Sequence, residues 1–185
     1  MNDAREDGLL LVIRAAEFAA AQHRTQRRKD GETPYINHPL GLMRVLAEEG
    51  GVRDPELLAA AALHDVVEDC GVAPETLEAL FGPRVAAIVA EVTDDTSLPK
   101  AERKRRQVEK VPHLSHEACL LKLADKISNL TDILESPPAD WPVARKEAYF
   151  AWAGEVVDAM GAVHPVLLAR FRTLRARVME LQLPA

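Results

Sequence analysis

Cysteine, aromatic residues and long apolar runs are all scarce in this sequence. Its 185 residues include two cysteines, Cys70 and Cys119, which excludes a disulfide framework and a zinc site built from CxxC pairs. No uninterrupted apolar run reaches the roughly 18 residues that a membrane span needs. The first segment, MNDAREDGLLLVIRAAEFAA, lacks the basic start and cleavage site of a secretory signal. We therefore expect a reduced, cytoplasmic protein without a membrane partner.

An excess of positive charge is also missing. The 23 Lys and Arg against 29 Asp and Glu give a formal net charge of −6, which argues against a broad surface for polymeric nucleic acid. This balance leaves room for a local basic pocket that binds a small anion. The chain is 48% hydrophobic and 28% charged, as globular proteins are. We expect a single domain over residues 1–185 that is a monomer or a weak homodimer.

Helical periodicity covers nearly the whole chain, and no alternating apolar and polar run demands a strand. In the first segment, Leu9, Val12 and Ile13 fall at helical spacing. Proline and glycine clusters such as EEGGVRDP and SPPADWP separate the later segments. The predicted helices cover roughly 39–49, 55–69, 74–80, 82–93, 99–111, 115–134, 141–161 and 163–181. The expected fold class is therefore all-α, a single compact multi-helix domain.

The stretch LLAAAALHDVVEDCG, residues 57–71, places titratable groups at the end of an apolar helix. At about 100° per residue, His64, Asp65, Glu68 and Asp69 lie within an arc of about 140°. The preceding turns are apolar on every side, which predicts a buried helix. Buried carboxylates repel one another and lose their hydration, and a bound divalent cation would offset that cost. The stretch therefore predicts a metal site.

Two further segments offer ligands for such an ion. In ACLLKLADKISNLTDIL, Asp125, Asn129 and Asp132 form a polar line apart from the leucine stripe, and Asp125 is the candidate third ligand. In TPYINHPLG, Pro39 disfavours helix at His38 and can open the next helix, so His38 would stand at a fixed helix entrance. The resulting set of two imidazoles and two carboxylates suits manganese, iron, zinc or magnesium. Each residue alone also has a structural interpretation, and the combination favours a site.

At this point the sequence resembles the HD-domain phosphohydrolases, through an H…HD…D pattern. The stretches RRKDGETPYINHPLG, AAALHDVVEDCG, FGPRVAAIVAEVTDD and LKLADKISNL are most similar to the small alarmone hydrolases of the metazoan SpoT-homologue type, relatives of the RelA/SpoT hydrolase domain. The resemblance runs from about residue 8 to 160. It implies Mn²⁺-dependent removal of the 3′-pyrophosphate from (p)ppGpp, with one Mn²⁺ per chain. From the end of the chain at Ala185, which leaves no room for a synthetase domain, we expect hydrolysis without synthesis.

The resemblance assigns roles at the matching positions. It implies that four side chains hold the metal: His38, His64, Asp65 and Asp125. It implies that two carboxylates position or activate the attacking water, without deciding which is the base: Glu68 and Asp69. It implies substrate contacts from six further side chains: Arg28, Lys29, Lys100, Asn129, Arg145 and Tyr149. Arg28 and Lys29 match residues of the nucleotide-base site, and Asn129 matches an asparagine near the ribose and phosphates.

Lys100, Arg145 and Tyr149 match contacts on the phosphate side. For the other basic residues of KAERKRR, 100–106, a solvated helical face is the preferred interpretation, and the neighbouring tryptophans are interpreted as core. Thr131 stands where the family often has an arginine, which bears on substrate preference. Two alternatives to (p)ppGpp hydrolysis stay open. One is an HD phosphohydrolase for another nucleotide, such as a 2′-phosphatase for NADPH, and the other is a non-catalytic module that binds alarmone.

Overall fold

The computed structural model of this chain describes residues 3–182, and within that range it contains helices, turns and loops but no strand. Ten α-helices follow one another: α1 Asp3–Gln22, α2 Asn37–Arg44, α3 Pro55–Leu63, α4 Val66–Cys70, α5 Pro74–Phe81, α6 Pro83–Val92, α7 Lys100–Lys110, α8 His116–Glu135, α9 Val143–Met160 and α10 Pro165–Ala176. The predicted all-α class is confirmed. Among the described helices, none combines the length and the apolar composition of a membrane span.

Three short segments extend these helices. A π-helical turn, Val45–Glu49, continues α2, and 3-10 segments continue α7 over Val111–His113 and α10 over Arg177–Gln182. Gly50 closes the first of these segments by donating its backbone N–H to the Val45 carbonyl at 2.9 Å.

The centre of the molecule is α8, which packs against α2, α6, α9 and α10. Its leucine stripe is buried, with Leu123 and Leu130 fully inaccessible to solvent. The second buried helix, α3, lies between α1, α2 and α6, and its four consecutive alanines, 59–62, are fully buried. The prediction that α3 is buried on nearly every side is therefore correct. Of the candidate metal ligands, Asp125 lies on α8, His64 and Asp65 follow the end of α3, and His38 lies on α2, which packs against both helices.

The buried face of α1 differs from the expected one. Ala15 and Ala19 are fully buried, whereas Leu9 and Ile13 are 61% and 52% exposed. The reason is the partner helix: α1 packs on the alanine-rich α3, where small side chains on both helices allow a close approach. At one end of this contact, a Cβ added to Gly8 would lie 3.0 Å from the Pro55 ring. The larger apolar residues of α1 are consequently displaced to the surface.

The continuous helix predicted over 55–69 is wrong. The chain leaves α3 after Leu63 and re-enters a helix, α4, at Val66, with a turn at His64 and Asp65. Asp65 has φ −104° and ψ −4°, outside regular helical values. The expectation that Pro39 keeps His38 out of a helix is also wrong, because both lie in the first turn of α2, where a proline removes no needed hydrogen bond.

Candidate active site

The predicted metal ligands meet at the junction of α2, α8 and the turn between α3 and α4. His38, His64 and Asp65 offer ligand atoms that all lie within 4.8 Å of one another. Asp65 Oδ2 lies 2.9 Å from His64 Nε2 and 3.9 Å from His38 Nε2. Asp125 Oδ1, from α8, lies 3.3 Å from His38 Nε2. The structure therefore brings three of the predicted ligands into one group and places the fourth, Asp125, against His38 at its edge.

The hydrogen bonds of the two histidines fit a bound cation. His64 Nδ1 lies 2.8 Å from the Ala61 carbonyl, which can only accept, so Nδ1 carries the proton. His64 Nε2 is buried and has no hydrogen-bond partner among the described residues. Its lone pair faces a carboxylate oxygen of Asp65, an arrangement that only a proton or a cation between the two atoms stabilises. His38 Nδ1 lies 3.1 Å from Ser128 Oγ, which leaves Nε2 directed at Asp125.

The pKa shifts of the histidines and carboxylates in the cluster are also compatible with a bound cation. Burial lowers the pKa of His38, so this imidazole is neutral, as a metal ligand must be. Burial also opposes a charge on His64, but the adjacent Asp65 carboxylate outweighs it and raises the pKa of His64 to about 8, so this imidazole holds a proton that a bound cation would displace. For Asp125, burial raises the pKa, yet Lys126 and His38 together hold it well below its usual range. The cluster thus contains ionised carboxylates that attract a cation.

The predicted acidic pair lies on α4, immediately beside the cluster. Glu68 is held at both oxygens, because Oε1 accepts from Arg103 Nη1 at 3.1 Å and Oε2 accepts from the backbone N–H of Asp94 at 3.2 Å. Burial raises the pKa of Glu68, and the neighbouring Asp94 raises it further. Burial and the nearby Asp65 likewise raise the pKa of Asp69. Carboxylates with raised pKa values are suited to accept a proton from water.

The loop between α1 and α2 carries the predicted base-site residues. Its turn is held by Asp30, whose Oδ1 accepts the backbone N–H groups of Glu32 and Thr33, each at 2.9 Å. This turn directs Arg28 towards α8, where Arg28 Nε donates to Asp132 Oδ2 at 3.0 Å. Burial disfavours the Arg28 cation, but Asp132 outweighs that effect and raises the pKa of Arg28.

Asn129 connects this loop to the metal cluster. Its Oδ1 accepts from Arg28 Nη2 at 2.9 Å, and its Nδ2 donates to Asp125 Oδ1 at 2.6 Å. The polar line predicted along α8 is therefore observed: Asp125 faces the cluster, Asp132 faces Arg28, and Asn129 lies between them. Asn129 thus connects a predicted metal ligand with a predicted base-site arginine by direct hydrogen bonds.

The opposite end of the site is basic and aromatic. Lys29 Nζ lies 5.0 Å from the centroid of the Trp141 ring, and the Arg145 guanidinium lies 4.2 Å from the same centroid. Lys100 Nζ lies 5.8 Å from it. Lys104 Nζ lies 4.5 Å from the centroid of another ring, that of Trp152. Within the described chain, Lys29, Lys100 and Lys104 form no salt bridge, so their charges are available to an anionic ligand.

One cavity of about 340 Å³ joins the two ends, and all of the sequence-predicted site residues line it: Arg28, Lys29, His38, His64, Asp65, Glu68, Asp69, Lys100, Asp125, Asn129, Arg145 and Tyr149. Its wall also contains residues that sequence reasoning did not assign to the site: Arg27, Tyr35, Arg103, Lys104, Lys126, Trp141 and Trp152. The residues predicted to bind metal and activate water lie at one end, and lysines without a salt bridge in the described chain lie with aromatic rings at the other.

The interpretation of 100–106 as a solvated face is correct only in part. Arg105 and Arg106 are exposed and pair with Glu102. Arg103 and Lys104, however, line the cavity together with Lys100. Residues three and four apart share a helix face, so Arg103 and Lys104 lie on the same side of α7 as Lys100, but this spacing alone does not tell which side faces the cavity. The tryptophans belong both to the core, as expected, and to the cavity wall.

The fold and the His–Asp cluster define the class of protein. Residues 15–153 match the model of the HD domain family. The chain is 52% identical over 158 residues to the guanosine-3′,5′-bis(diphosphate) 3′-pyrophosphohydrolase MESH1 of Xenopus tropicalis, covering 85% of this chain and 88% of the relative. The Homo sapiens protein of the same name is 51% identical over 150 residues, 80% and 84% of the two chains. This chain belongs to the MESH1 family of HD-domain proteins.

A solved structure described as "A metazoan ortholog of SpoT hydrolyzes ppGpp and plays a role in starvation responses" is similar throughout. It superimposes with a TM-score of 0.88 at 43% sequence identity, covering 90% of this chain and 94% of that one. The resemblance to small alarmone hydrolases is therefore confirmed. An HD domain implies a divalent metal, and the donor set of the cluster fits one.

Proposed function

We propose that this protein hydrolyses the 3′-pyrophosphate of (p)ppGpp, giving GDP or GTP and pyrophosphate. The observation that carries the proposal is the cavity that joins a His–Asp metal cluster to unpaired lysines and aromatic rings. A nucleotide with phosphate groups on both sides of its ribose presents a planar base and two dense anions, which match these features. The relatives named as 3′-pyrophosphohydrolases support the same reaction.

The metal is proposed to be one Mn²⁺ per chain, held by four side chains: His38, His64, Asp65 and Asp125. Two imidazoles and two carboxylates form a mixed nitrogen and oxygen set that suits manganese. When bound, a divalent cation supplies Lewis acidity and activates water for attack at neutral pH. Ser128 and the Ala61 carbonyl fix the orientation of the two imidazoles from outside the cluster.

The chain's own residues perform the remaining tasks. Hydrolysis requires that a proton leave the attacking water and that a proton reach the 3′ oxygen of the ribose. Glu68 and Asp69 are the proposed proton acceptors, and Arg103 holds the Glu68 carboxylate in place. Lys100 and Arg145 are proposed to stabilise charge on the phosphoryl oxygens, with Tyr149 beside them.

Substrate selection is assigned to the loop between α1 and α2 and to α8. Arg28 is proposed to stack its planar guanidinium on the guanine, with Lys29 beside the base and Asn129 near the ribose. We further propose that residues 1–185 form one hydrolase domain, as a monomer or weak homodimer. Cys70 and Cys119 are free thiols, which supports a reduced, cytoplasmic location.

The test is anion-exchange chromatography of ppGpp incubated with the purified protein and Mn²⁺. We expect GDP and pyrophosphate from the wild type and no product from Asp65→Ala, which removes a metal ligand. The matched control is Glu78→Ala, which removes an exposed carboxylate of α5 far from the chemistry and should leave the rate unchanged.

Parallel incubations with pppGpp, NADPH and GMP separate the alternatives. Turnover of ppGpp no faster than that of GMP would refute alarmone hydrolysis, and preferential release of phosphate from NADPH would identify a 2′-phosphatase. Tight binding of ppGpp without turnover, with Mn²⁺ shown to be bound, would instead identify a non-catalytic binding module.

A further inference from the structure

Tyr35 contacts the metal cluster directly, although it belongs to none of the residue sets assigned above. Its hydroxyl donates a hydrogen bond to Asp65 Oδ2 at 2.6 Å. The same oxygen lies 2.9 Å from His64 Nε2 and 3.9 Å from His38 Nε2. Burial raises the pKa of Tyr35 far above its usual value, and Asp65 raises it further, so the phenol stays a neutral donor.

The ring of Tyr35 is fixed from several sides. It stacks on the buried His23 with centroids 4.6 Å apart and an interplanar angle of 25°. The Arg28 guanidinium lies 5.5 Å from its centroid, and the His38 ring meets it edge-on at 6.0 Å. Its backbone N–H donates to the Gln26 carbonyl at 3.1 Å, within the turn-stabilised loop that also carries Arg28. These contacts restrain the side chain of Tyr35, so its hydroxyl has a well-defined position beside Asp65.

Each of the other three candidate ligands has a hydrogen-bond partner outside the cluster, and this partner limits the rotation of the ligand side chain. Ser128 contacts His38, the Ala61 carbonyl contacts His64, and Asn129 contacts Asp125. Asp65 lacks such support from its own helix, because its carboxylate makes no capping bond at the start of α4. Tyr35 supplies the missing restraint. A carboxylate oxygen has two lone pairs, so Oδ2 can accept from Tyr35 and still face a cation.

We propose that Tyr35 is a positioning residue for the metal centre, whose hydroxyl holds the Asp65 carboxylate in the orientation that binds the cation. The proposal rests on the proposed metal-dependent function and deepens it. It assigns the hydroxyl, rather than the ring, to metal binding, while the ring packs against His23 and Arg28. Loss of an outer-shell partner of a ligand typically costs about 10–100-fold in metal affinity.

The experiment measures Mn²⁺ affinity without substrate, by electron paramagnetic resonance of the free ion. Tyr35→Phe keeps the ring contacts and removes only the hydroxyl. Ser128→Ala, which removes the outer partner of His38, gives the size of effect that such a loss produces at this site. Thr173→Val is the negative control, because Thr173 lies on the exposed face of α10 and bonds only within that helix. Thermal unfolding of all variants in EDTA reports on the fold alone.

We expect Tyr35→Phe to raise the Kd for Mn²⁺ by about 10–100-fold, with the melting temperature in EDTA lowered no more than by Ser128→Ala. Raising the Mn²⁺ concentration should then restore metal occupancy, and any loss of kcat that remains would report the second contact of the hydroxyl, with Asp69. A Kd within twofold of wild type would overturn the proposal, as would a lowered melting temperature in EDTA that accounts for weaker binding. A Kd that shifts as expected, while neither the wild type nor Tyr35→Phe hydrolyses ppGpp, would support the positioning role of Tyr35 and refute ppGpp as the substrate.

Discussion

Lys104 provides a test of whether the basic end of the cavity serves substrate rather than stability. Its ammonium lies 4.5 Å from the Trp152 ring centroid and 5.5 Å from that of Tyr149. Burial lowers its pKa, and the Lys100 charge lowers it further. Lys104→Met keeps a long, apolar stem against both rings and removes the charge. The substitution therefore separates recognition of an anion from packing.

The expected magnitudes differ for the two properties. A hydrogen bond to a charged group contributes about 1.5–3 kcal/mol, which at about 1.4 kcal/mol per factor of ten predicts a fall of about 10–150-fold in kcat/KM. The folded protein loses a cation–π contact of about 0.5–2 kcal/mol but is relieved of repulsion with Lys100 and Lys126. These terms oppose each other, so we expect the free energy of unfolding to change by no more than about 1 kcal/mol.

The assay combines steady-state hydrolysis of ppGpp with urea denaturation, and Lys110→Met is the matched control because Lys110 is exposed on the same helix. The control should leave both properties unchanged. A kcat/KM for Lys104→Met within about threefold of wild type would refute the anion-binding role. Lost activity that follows a comparable loss of stability would show that Lys104 acts through packing instead.

Three further outcomes are expected at the metal and base ends of the cavity. Glu68→Gln keeps the size of the side chain and an oxygen that can accept from Arg103, so Mn²⁺ should still bind. The value of kcat should fall by about 10²–10⁴-fold, which is the contribution of a general base. A normal rate would remove Glu68 from the mechanism. Arg28→Ala should raise KM for ppGpp and leave Mn²⁺ affinity nearly intact, which titration of each ligand separately checks. Removal of metal with EDTA should abolish turnover and Mn²⁺ should restore it, whereas activity that survives chelation would contradict the assignment of the His–Asp cluster.

Much of the helical framework could be predicted because helix starts and buried helix faces are indicated by residues that lie close together in the sequence. Pro55 and Pro83 occupy the first turns of α3 and α6, where proline is favoured, and Asp54 caps α3 by accepting the N–H of Glu56 at 3.0 Å. The leucine stripe and polar line of α8 follow from a period of 3.6 residues and need no knowledge of neighbouring helices. Such features depend on residues close in sequence, which is why they were predicted correctly.

Features that depend on the partner helix could not be predicted in this way. The exposed Leu9 and Ile13 have the spacing of a buried face, and only the alanine surface of α3 explains why Ala15 and Ala19 are buried in their place. Lys104 looks like a solvated lysine until α9 places Trp152 beside it, with the indole Nε1 donating to the Lys104 carbonyl at 3.1 Å. In both cases a tertiary contact decides between two faces that the sequence leaves equivalent.

The turn between α3 and α4 departs from the local structure that its sequence favours. In a continuous helix, adjacent side chains point about 100° apart, whereas here His64 Nε2 and Asp65 Oδ2 lie 2.9 Å from each other. Asp65 occupies the N-cap position of α4, where aspartate normally accepts a backbone N–H and contributes about 1 kcal/mol, yet its side chain makes no capping bond. That carboxylate instead faces two histidines and accepts from Tyr35. The interruption of the buried helix thus brings two consecutive side chains to one point, which is the arrangement that the proposed shared cation requires.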